Sequence, residues 1–451
     1  MADLLIRGGL VCDGGAPHQA DLLVDGGRVA AVLAPGQADP AGAESVVDAG
    51  GLWVLPGRVD PHVHMMDPGP THREDFITGS EGAVLGGCTT VIDHPRTEPT
   101  VLTADILRQK AAYLKGRSYA DYGLFGGGQE DNIGELEGMW KAGALAFKAF
   151  TCNLHGVPQV RPEQMRELFR KVASFGGVVL VHAEDEEITK ANEQRLRAAG
   201  RTDGGVTAEW RSLDAEYAAA SDVLAAAQET GCRVILAHAS HPKIASLVGE
   251  VRGRGYDVHC ESCPQYFYLS EEIVRERGPW AKFTPPAREA AAHDQLWRQL
   301  EFGIIDTITT DHAPATVAEK KPGEQDIWQA PFGVPGIQTT MPLMLEAVHQ
   351  GHVSLEAVVR AMSVNPARLW NLYPRKGHLG VGADADIALV DPGAEWTIRG
   401  AQLVSKAGWT PYEGQKIHGA IVSTYVRGQL VAHEGRVVRG PDTGIFITRP
   451  Y

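Results

Sequence analysis

The 451-residue sequence lacks any apolar run that approaches the roughly 20 residues of a membrane-spanning helix. Its first stretch, MADLLIRGGLVCDGG, has neither the basic region nor the long apolar core of a secretory signal peptide. The six cysteines are scattered, without the spacing of a disulfide framework. We therefore expect a soluble, cytoplasmic protein whose thiols are reduced.

Positive charge is also scarce. The chain has 42 lysines and arginines against 56 aspartates and glutamates, a formal net charge of −14. Such a field attracts neither the phosphates of nucleic acid nor an anionic membrane surface, so we expect no nucleic-acid partner and no membrane partner. The length suits one large barrel plus a smaller module.

Both ends of the chain carry the pattern of short β-strands. The segments DLLIRGGLVCD and ADLLVDGGRVAAVL near the start, and ADIALVDPG and IVSTYVRGQLVAHEGRVV near the end, are joined by Asp-Gly and Gly-Gly turns. These pairs supply the positive φ angles that tight hairpins need. We predict a small β-sandwich domain built from residues 1–55 and 375–451, with a separate domain of residues 56–374 inserted between them.

The inserted region alternates apolar, β-branched runs with segments of helical spacing. The runs are VDPHVHM, CTTVIDHP, ADYGLFGG, LAFKAFTC, GVVLVHAE, RVILAHAS, YDVHCESC and DTITTDHA. Eight buried strands alternating with helices predict an α/β fold, a (β/α)8 TIM barrel. A doubly wound open sheet is the alternative, and the lack of a Gly-rich dinucleotide fingerprint after the first strand weakens it.

Six ionisable side chains lie at the ends of these predicted strands: His62, His64, Lys148, His182, His238 and Asp311. Singly, a strand histidine is more often a hydrogen-bonded core residue, and a buried lysine usually extends its amine to the rim. Together they fall at the carboxyl ends of the strands, where a barrel brings its catalytic groups to one place. We therefore interpret them as one site.

The residue types suit a pair of divalent cations. His62 and His64, two apart, project from one face of a strand and can hold one cation, while His182 and His238 can hold a second. Asp311 is both a hard anionic ligand and a proton acceptor. Lys148 fits if it is neutral and reacts with carbon dioxide, because the resulting carbamate can bridge both cations.

These stretches resemble the amidohydrolase superfamily, specifically its dihydroorotase, allantoinase and hydantoinase (dihydropyrimidinase) branch. The matching segments are PGRVDPHVHMMDPG, GALAFKAF, LVHAEDE, ILAHAS, CESCPQYFYLS, FTPPAR, TTDHAPAT, APFGVPGIQTTMPLML and GVGADADIALVD. The resemblance implies a cyclic amidohydrolase acting on a small cyclic amide, and a homo-oligomer, either a dimer or a tetramer.

The resemblance also assigns roles to the six residues. It places His62 and His64 on the more buried metal ion and His182 and His238 on the more exposed one, bridged by carboxylated Lys148. Zinc is the expected metal, although these ligands also suit manganese, cobalt or iron. A metal-bridging hydroxide would attack the ring carbonyl, and Asp311 would move the proton to the departing nitrogen.

The substrate pocket departs from the dihydroorotase pattern. Dihydroorotases carry HxHLREPG and MPNTxP, whose arginine and asparagine clasp the substrate carboxylate. Here HVHMMDPG and DHPRTEP place Met66 and Arg96 at those positions, and a third contact, a histidine, is Ala315. A thioether cannot pair with a carboxylate. We therefore favour an uncharged cyclic ureide or imide, of the allantoinase or hydantoinase type, with a dihydroorotase that uses Arg96 as the alternative.

For other residues near the predicted mouth of the barrel, the sequence indicates a role less clearly. Asn153 occupies the place of a tyrosine in many hydantoinases, and either contacts substrate or caps a loop. We predict that Ser262 binds the ring amide and that His312 touches the substrate. His94 has no counterpart among the family's metal ligands, which favours a role in the core or in support of the metal ligands. Residues 319–336, rich in charge, Gly and Pro, are predicted to form a mobile lid.

Two rival classes remain within the superfamily. A non-catalytic scaffold paralogue usually lacks one or more of the metal-binding residues, and here all six are present. A mononuclear deaminase generally does without the bridging lysine. The six residues therefore favour a binuclear hydrolase over both.

Overall fold

The computed structural model describes residues 1–449. Its strands are β1 Ala2–Val11, β2 His18–Asp25, β3 Arg28–Leu33, β4 Ala43–Asp48, β5 Trp53–Pro56, β6 Arg58–Val63, β7 Cys88–Asp93, β8 Asp121–Leu124, β9 Gly126–Gly127, β10 Phe147–Phe150, β11 Val178–His182, β12 Arg233–Leu236, β13 Val258–Ser262, β14 Thr307–Ile308, β15 Ile387–Thr397, β16 Lys416–Val426, β17 Gln429–His433 and β18 Arg436–Val437.

The α-helices alternate with the central strands and then follow them. They are α1 Phe76–Leu85, α2 Ala104–Leu114, α3 Leu136–Lys141, α4 Pro162–Ala173, α5 Glu186–Ala198, α6 Val206–Trp210, α7 Leu213–Thr230, α8 Pro242–Gly253, α9 Gln265–Tyr268, α10 Glu271–Arg277, α11 His293–Glu301, α12 Val317–Lys320, α13 Thr340–His349, α14 Leu355–Val359 and α15 Asn365–Leu369. No helix of the described chain is long and apolar enough to cross a membrane.

The central strands form the predicted parallel barrel. β6 to β8 pair in sequence order, and β9 to β14 pair in sequence order, each pair parallel. β8 and β9 are separated only by Phe125. The barrel closes where Val63 pairs with His312 in parallel and the His64 amide donates to the His312 carbonyl at 2.8 Å. The carboxyl ends of all these strands therefore meet at one face.

Local sequence explains where several elements begin and end. Asp75 caps α1 by accepting from the Thr78 amide at 2.8 Å, and the Thr78 hydroxyl faces the Asp75 amide in return, which is a capping box. The long helix α7 ends at Gly231, whose φ of 68° is the left-handed conformation that glycine favours at this position. Such caps let the chain turn sharply from each strand into each helix.

The two chain ends build one small β domain, as predicted. Its nine-stranded sheet runs β18-β17-β16-β15-β5-β1-β2-β3, with β4 paired to β1, so the antiparallel pairing of β5 with β15 joins the two ends. The Gly26–Gly27 turn has φ angles of 57° and 75° and connects β2 to β3. This domain has its own apolar core, which includes Leu22, Val54 and Ile387.

A buried cluster of ion pairs connects this domain to the barrel. The Lys376 amine lies 2.6 Å from Asp121 of β8, 2.9 Å from Asp384 and 2.7 Å from Asp386. Arg427 reaches the same Asp121. The three aspartates are close enough to hold a metal ion, but Lys376, Arg375 and Arg427 already pair with them.

Candidate metal centre and catalytic site

The six predicted residues lie together at the carboxyl face of the barrel. His62 is in β6 and His64 follows that strand, while Lys148 is in β10 and His182 ends β11. His238 follows β12, and Asp311 follows β14. Five of the six are nearly or fully buried, and Asp311 retains 14% of its side-chain exposure. The fold therefore brings these residues together as the sequence predicted.

The first cluster contains His62, His64 and Asp311. Asp311 Oδ1 lies 3.2 Å from His62 Nε2 and 3.3 Å from His64 Nε2. His62 Nδ1 contacts a carboxylate oxygen of buried Glu261, from β13. Nδ1 faces that carboxyl group, whose pKa burial raises well above its usual value, and Nε2 points toward Asp311. Burial lowers the pKa of His62 well below its usual value, which keeps the ring neutral.

The second cluster contains His182 and His238. His182 Nδ1 lies 2.9 Å from His238 Nε2, and His182 Nε2 lies 2.6 Å from Glu184. Glu184 also accepts from the Thr284 hydroxyl at 2.8 Å and from Arg211 at 3.4 Å, so it is held firmly as an anion. The proton of His182 therefore belongs on Nε2, which leaves the Nδ1 lone pair facing His238.

Lys148 lies between the two clusters with an unsatisfied amine. Its Nζ is buried and has no hydrogen-bond partner among the described residues. Burial lowers the pKa of Lys148 to about 8, although Glu261 and Asp311 act in the opposite direction. A substantial fraction of the amine is therefore uncharged near neutral pH, which is the form that reacts with carbon dioxide.

Three of the site residues adopt unusual backbone conformations. His238 has a φ of 39°, Asp311 a φ of 43° and Met66 a φ of 58°. A non-glycine residue with positive φ is strained by about 1–3 kcal/mol and persists only where its surroundings hold it. Such strain clusters at functional sites, and here it turns the two side chains that follow β12 and β14 into the barrel mouth.

Arg96 and Met66 lie side by side at the mouth. Arg96 lines a narrow cavity together with His64, Lys148 and Phe150. The Arg96 Nη2 atom lies 3.8 Å from Met66 Sδ, and the methionine side chain is only 2% exposed. The guanidinium, rather than the thioether, therefore faces the cavity.

The other three predicted substrate contacts have partners within the protein. Asn153 is exposed and bonds Glu186 through its amide side chain at 2.7 Å, which matches the loop-capping alternative. The Ser262 hydroxyl is buried and donates to the Ala239 carbonyl at 2.8 Å. The fully buried His312 ring lies 3.2 Å from Glu74 and accepts from the Gly336 amide at 3.1 Å. These bonds occupy the hydroxyl hydrogen of Ser262 and both ring nitrogens of His312, and contact of either residue with substrate stays a prediction.

The segment 319–336 is anchored to the barrel, contrary to the expected mobile lid. The buried Lys282 amine donates to the carbonyls of Ile327 and Ala330 at 2.7 and 2.6 Å. The buried Lys320 amine donates to the carbonyls of Lys282 and Pro331 at 3.1 and 2.9 Å. Composition indicated a loop, but it could not reveal two lysines that bind its backbone.

Sequence reasoning missed the carboxylates behind the histidines, and it left His94 between a core role and a role in support of the metal ligands. Glu261 and Glu184 orient His62 and His182, and their signal was an acidic residue inside or directly after an apolar strand, in HCES and VHAE. His94 stacks on His62 with ring centroids 4.0 Å apart and lies within metal-ligand distance of His62 and His64.

Comparison with known proteins agrees with this geometry. Residues 53–431 match the model of the amidohydrolase family. The chain is 38% identical over 411 residues to the L-hydantoinase of Paenarthrobacter aurescens, covering 90% of each chain. It is 36% identical to the allantoinase of Deinococcus radiodurans, covering 88% of this chain and 89% of that one. It is also 36% identical to the dihydroorotase of Halobacterium salinarum, covering 88% and 92%.

A solved structure extends the comparison to three dimensions. The L-hydantoinase (dihydropyrimidinase) from Arthrobacter aurescens superposes with a TM-score of 0.97 at 36% identity, and each chain is covered completely. The likeness therefore includes both the barrel and the terminal β domain. The chain belongs to the amidohydrolase family and is a cyclic amide hydrolase of its hydantoinase, allantoinase and dihydroorotase branch.

Proposed function

We propose that this protein is a binuclear metal-dependent hydrolase that opens the amide bond of a cyclic ureide or imide. The observation that carries the proposal is the buried cluster of ligand atoms from His62, His238 and Asp311, which lie within 4.8 Å of one another. His62 Nε2 faces a carboxylate oxygen at 3.2 Å, and His182 Nδ1 faces His238 Nε2 at 2.9 Å. Imidazole nitrogens and a carboxylate oxygen that converge in this way are the ligand set of a divalent metal ion.

The residues fit two metal ions. His62, His64 and Asp311 would hold one ion, and His182 and His238 the other, with the carbamate of Lys148 between them. The buried amine of Lys148, which has no hydrogen-bond partner, fits this arrangement, because as a carbamate it would offer anionic oxygen ligands to the metal ions. When bound, the metal ions polarise the ring carbonyl and lower the pKa of the attacking water.

The chain's own residues would supply the rest of the chemistry. Asp311 accepts the proton of the water at Oδ2, the oxygen that does not face the two histidines, and passes it to the departing ring nitrogen. Glu261 and Glu184 hold His62 and His182 in the correct orientation and proton form. The product is a ring-opened acid such as an N-carbamoyl amino acid.

The hydantoinase or allantoinase type is the first candidate for the ring. It is supported by the names of the relatives and by the hydantoinase superposition. A dihydroorotase is the second candidate, and it is favoured by one observation, the guanidinium of Arg96 at the cavity.

The test is a ring-opening assay of the metal-loaded protein on hydantoin, allantoin, dihydrouracil, dihydroorotate and a simple cyclic imide. We expect turnover of at least one ring, and a loss of about 10²–10⁴-fold in kcat for Asp311→Asn, because it removes the proton acceptor. His259→Gln is the matched control, since His259 pairs with Asp306 and Asp257 away from the cavity. Full activity of Asp311→Asn would refute its role, and failure on every ring by a two-metal protein would refute the proposed reaction.

A further inference from the structure

One ring nitrogen of His64 has no partner. His64 Nε2 faces Asp311 at 3.3 Å, whereas its Nδ1 is buried and makes no hydrogen bond to any described residue. His62 and His182, by contrast, each direct one ring nitrogen at a buried glutamate. A histidine that binds a metal through one nitrogen usually donates its other N–H to a fixed acceptor. The acceptor for His64 therefore has to be sought among its neighbours.

A second nitrogen without a partner belongs to His94, the residue directly after β7. Its Nδ1 is also buried and has no hydrogen-bond partner within residues 1–449. Its Nε2 lies 3.3 Å from the Pro61 carbonyl, to which a ring nitrogen can only donate. A buried imidazole among other imidazoles is uncharged, so the single proton of His94 lies on Nε2 and its Nδ1 carries a lone pair.

The rings of His64 and His94 are neighbours. Their centroids are 4.7 Å apart and their planes meet at 66°, an edge-to-face arrangement. Both rings line the narrow cavity that also contains Lys148. One ligand nitrogen from each of His62, His64 and His94 lies within 4.8 Å of the other two. A single proton between the two Nδ1 atoms would give both of them a partner.

The packing of His94 opposes a direct bond to the same metal ion as His62. The two rings are stacked, with centroids 4.0 Å apart and planes at 12°. The lone pair of an imidazole nitrogen lies in the ring plane, so the lone pairs of stacked rings do not converge on one ion. The backbone of His94 is also fixed, because its amide donates to the Val63 carbonyl at 3.0 Å and its carbonyl accepts from the Lys110 amine at 3.2 Å.

We propose that His94 is a positioning residue of the metal centre, whose Nδ1 accepts the Nδ1 proton of His64 and so keeps the Nε2 lone pair of His64 directed at the metal ion. This inference rests on the proposed function and adds a residue to its metal centre. An ion bound at Nε2 requires the proton of His64 on Nδ1, where it is buried and needs an acceptor. The hydrogen bond belongs to the metal-loaded protein, and the chain of two imidazoles ends at the Pro61 carbonyl.

The test compares two substitutions of nearly the same size and shape. Asparagine carries its amide oxygen close to the place of a histidine Nδ1, so His94→Asn keeps an acceptor there. His94→Leu has a methyl group in that place. Both variants lose the stacking on His62 to the same extent, so a difference between them reports the acceptor alone. His259→Gln is the control for loss of a histidine outside the cavity, since His259 pairs with Asp306 and Asp257.

The probe is Co²⁺, added in the presence of bicarbonate to metal-free protein. Chelator competition gives the affinity of each ion, and proton NMR shows the exchangeable ring N–H signals that the paramagnetic ion shifts. X-ray absorption counts the imidazoles per cobalt. Circular dichroism and thermal melting confirm that each variant is folded. None of these measurements depends on ring opening.

We expect His94→Leu to weaken the binding of one ion by about tenfold to one hundredfold, and to lose one shifted N–H signal through faster exchange with water. His94→Asn should bind that ion within about threefold of the wild type and retain the signal, because its oxygen accepts the same proton. The number of imidazoles per cobalt should be the same in all of the proteins. The His259→Gln control should match the wild type in every measurement.

The contrary results separate the two proposals. Equal affinities in the wild type, His94→Leu and His94→Asn would reduce His94 to a packing residue. Equal losses in both variants would assign the effect to stacking, and one imidazole fewer per cobalt would make His94 a ligand. Each of these results would overturn the positioning role and keep the hydrolase. A wild-type protein that binds no metal ion would overturn both proposals.

Discussion

Lys148 gives the sharpest test of the metal centre. The prediction is that two metal ions bind only after Lys148 has reacted with carbon dioxide, and that Lys148→Ala loses this dependence together with the bridged centre. The reason is chemical: an ammonium repels the metal ions, whereas a carbamate supplies two anionic oxygens. The buried amine has no other partner among residues 1–449.

The expected dependence of metal binding on pH follows from the pKa of about 8 that burial gives Lys148. Because the pKa is lowered, the reactive neutral amine increases as the pH rises and levels off above about 8. At about pH 7.5 roughly one quarter of the amine is neutral, against about one thousandth for an ordinary lysine of pKa about 10.4. At a fixed concentration of dissolved carbon dioxide, assembly should therefore slow about tenfold for each pH unit below about 7.

The assay begins with protein stripped of metal and carbon dioxide. Zinc is then added with or without ¹³C-labelled carbon dioxide, and bound metal is counted while ¹³C NMR detects the carbamate. We expect two ions per chain and a carbamate signal only when both are supplied. Two tightly bound ions in carbon dioxide-free buffer, or wild-type affinity in Lys148→Ala, would refute the reasoning.

Three further changes test the supporting structure. Glu261→Gln should weaken metal binding about tenfold to one hundredfold in chelator competition, because the carboxylate orients His62; an unchanged affinity would contradict this. Lys376→Met should lower the free energy of unfolding in urea by about 3–5 kcal/mol, since it leaves three buried aspartates without their main counter-charge. A loss within experimental error would show that Arg427 compensates their charge sufficiently. Gly333→Ala should lower the free energy of unfolding by about 1–3 kcal/mol in calorimetry, because the φ of residue 333 is 114° and a Cβ there would collide with the Ala313 carbonyl. A melting temperature equal to that of the wild type would refute this prediction.

The fold was largely predictable because its signals are local. Apolar runs of strand length alternate with helical spacing, and each histidine, lysine or aspartate at a strand end is visible in the sequence as a polar residue beside an apolar run. The barrel rule then brings those ends together without any knowledge of distances. Asp311 is the clearest case, since it meets His62 although almost 250 positions separate them.

The substrate contacts were harder to predict, because they depend on which direction a side chain takes. His312 follows Asp311 in the sequence, but its ring turns toward Glu74 and the Gly336 amide. Met66 stands where the family places an arginine, yet the structure puts its sulfur beneath the guanidinium of Arg96.

The sequence by itself determined the barrel, the terminal β domain and the six polar residues that meet at the barrel mouth, because periodicity and the order of polar residues encode them directly. Only the tertiary structure decided which polar side chains already have hydrogen-bond partners within the protein. A hydrogen-bond partner such as Glu186 for Asn153, or Ala239 for Ser262, lies more than 20 positions away and has no pattern of its own. Which donors remain free to meet a ligand, as those of Arg96 do, is therefore a property of packing rather than of sequence.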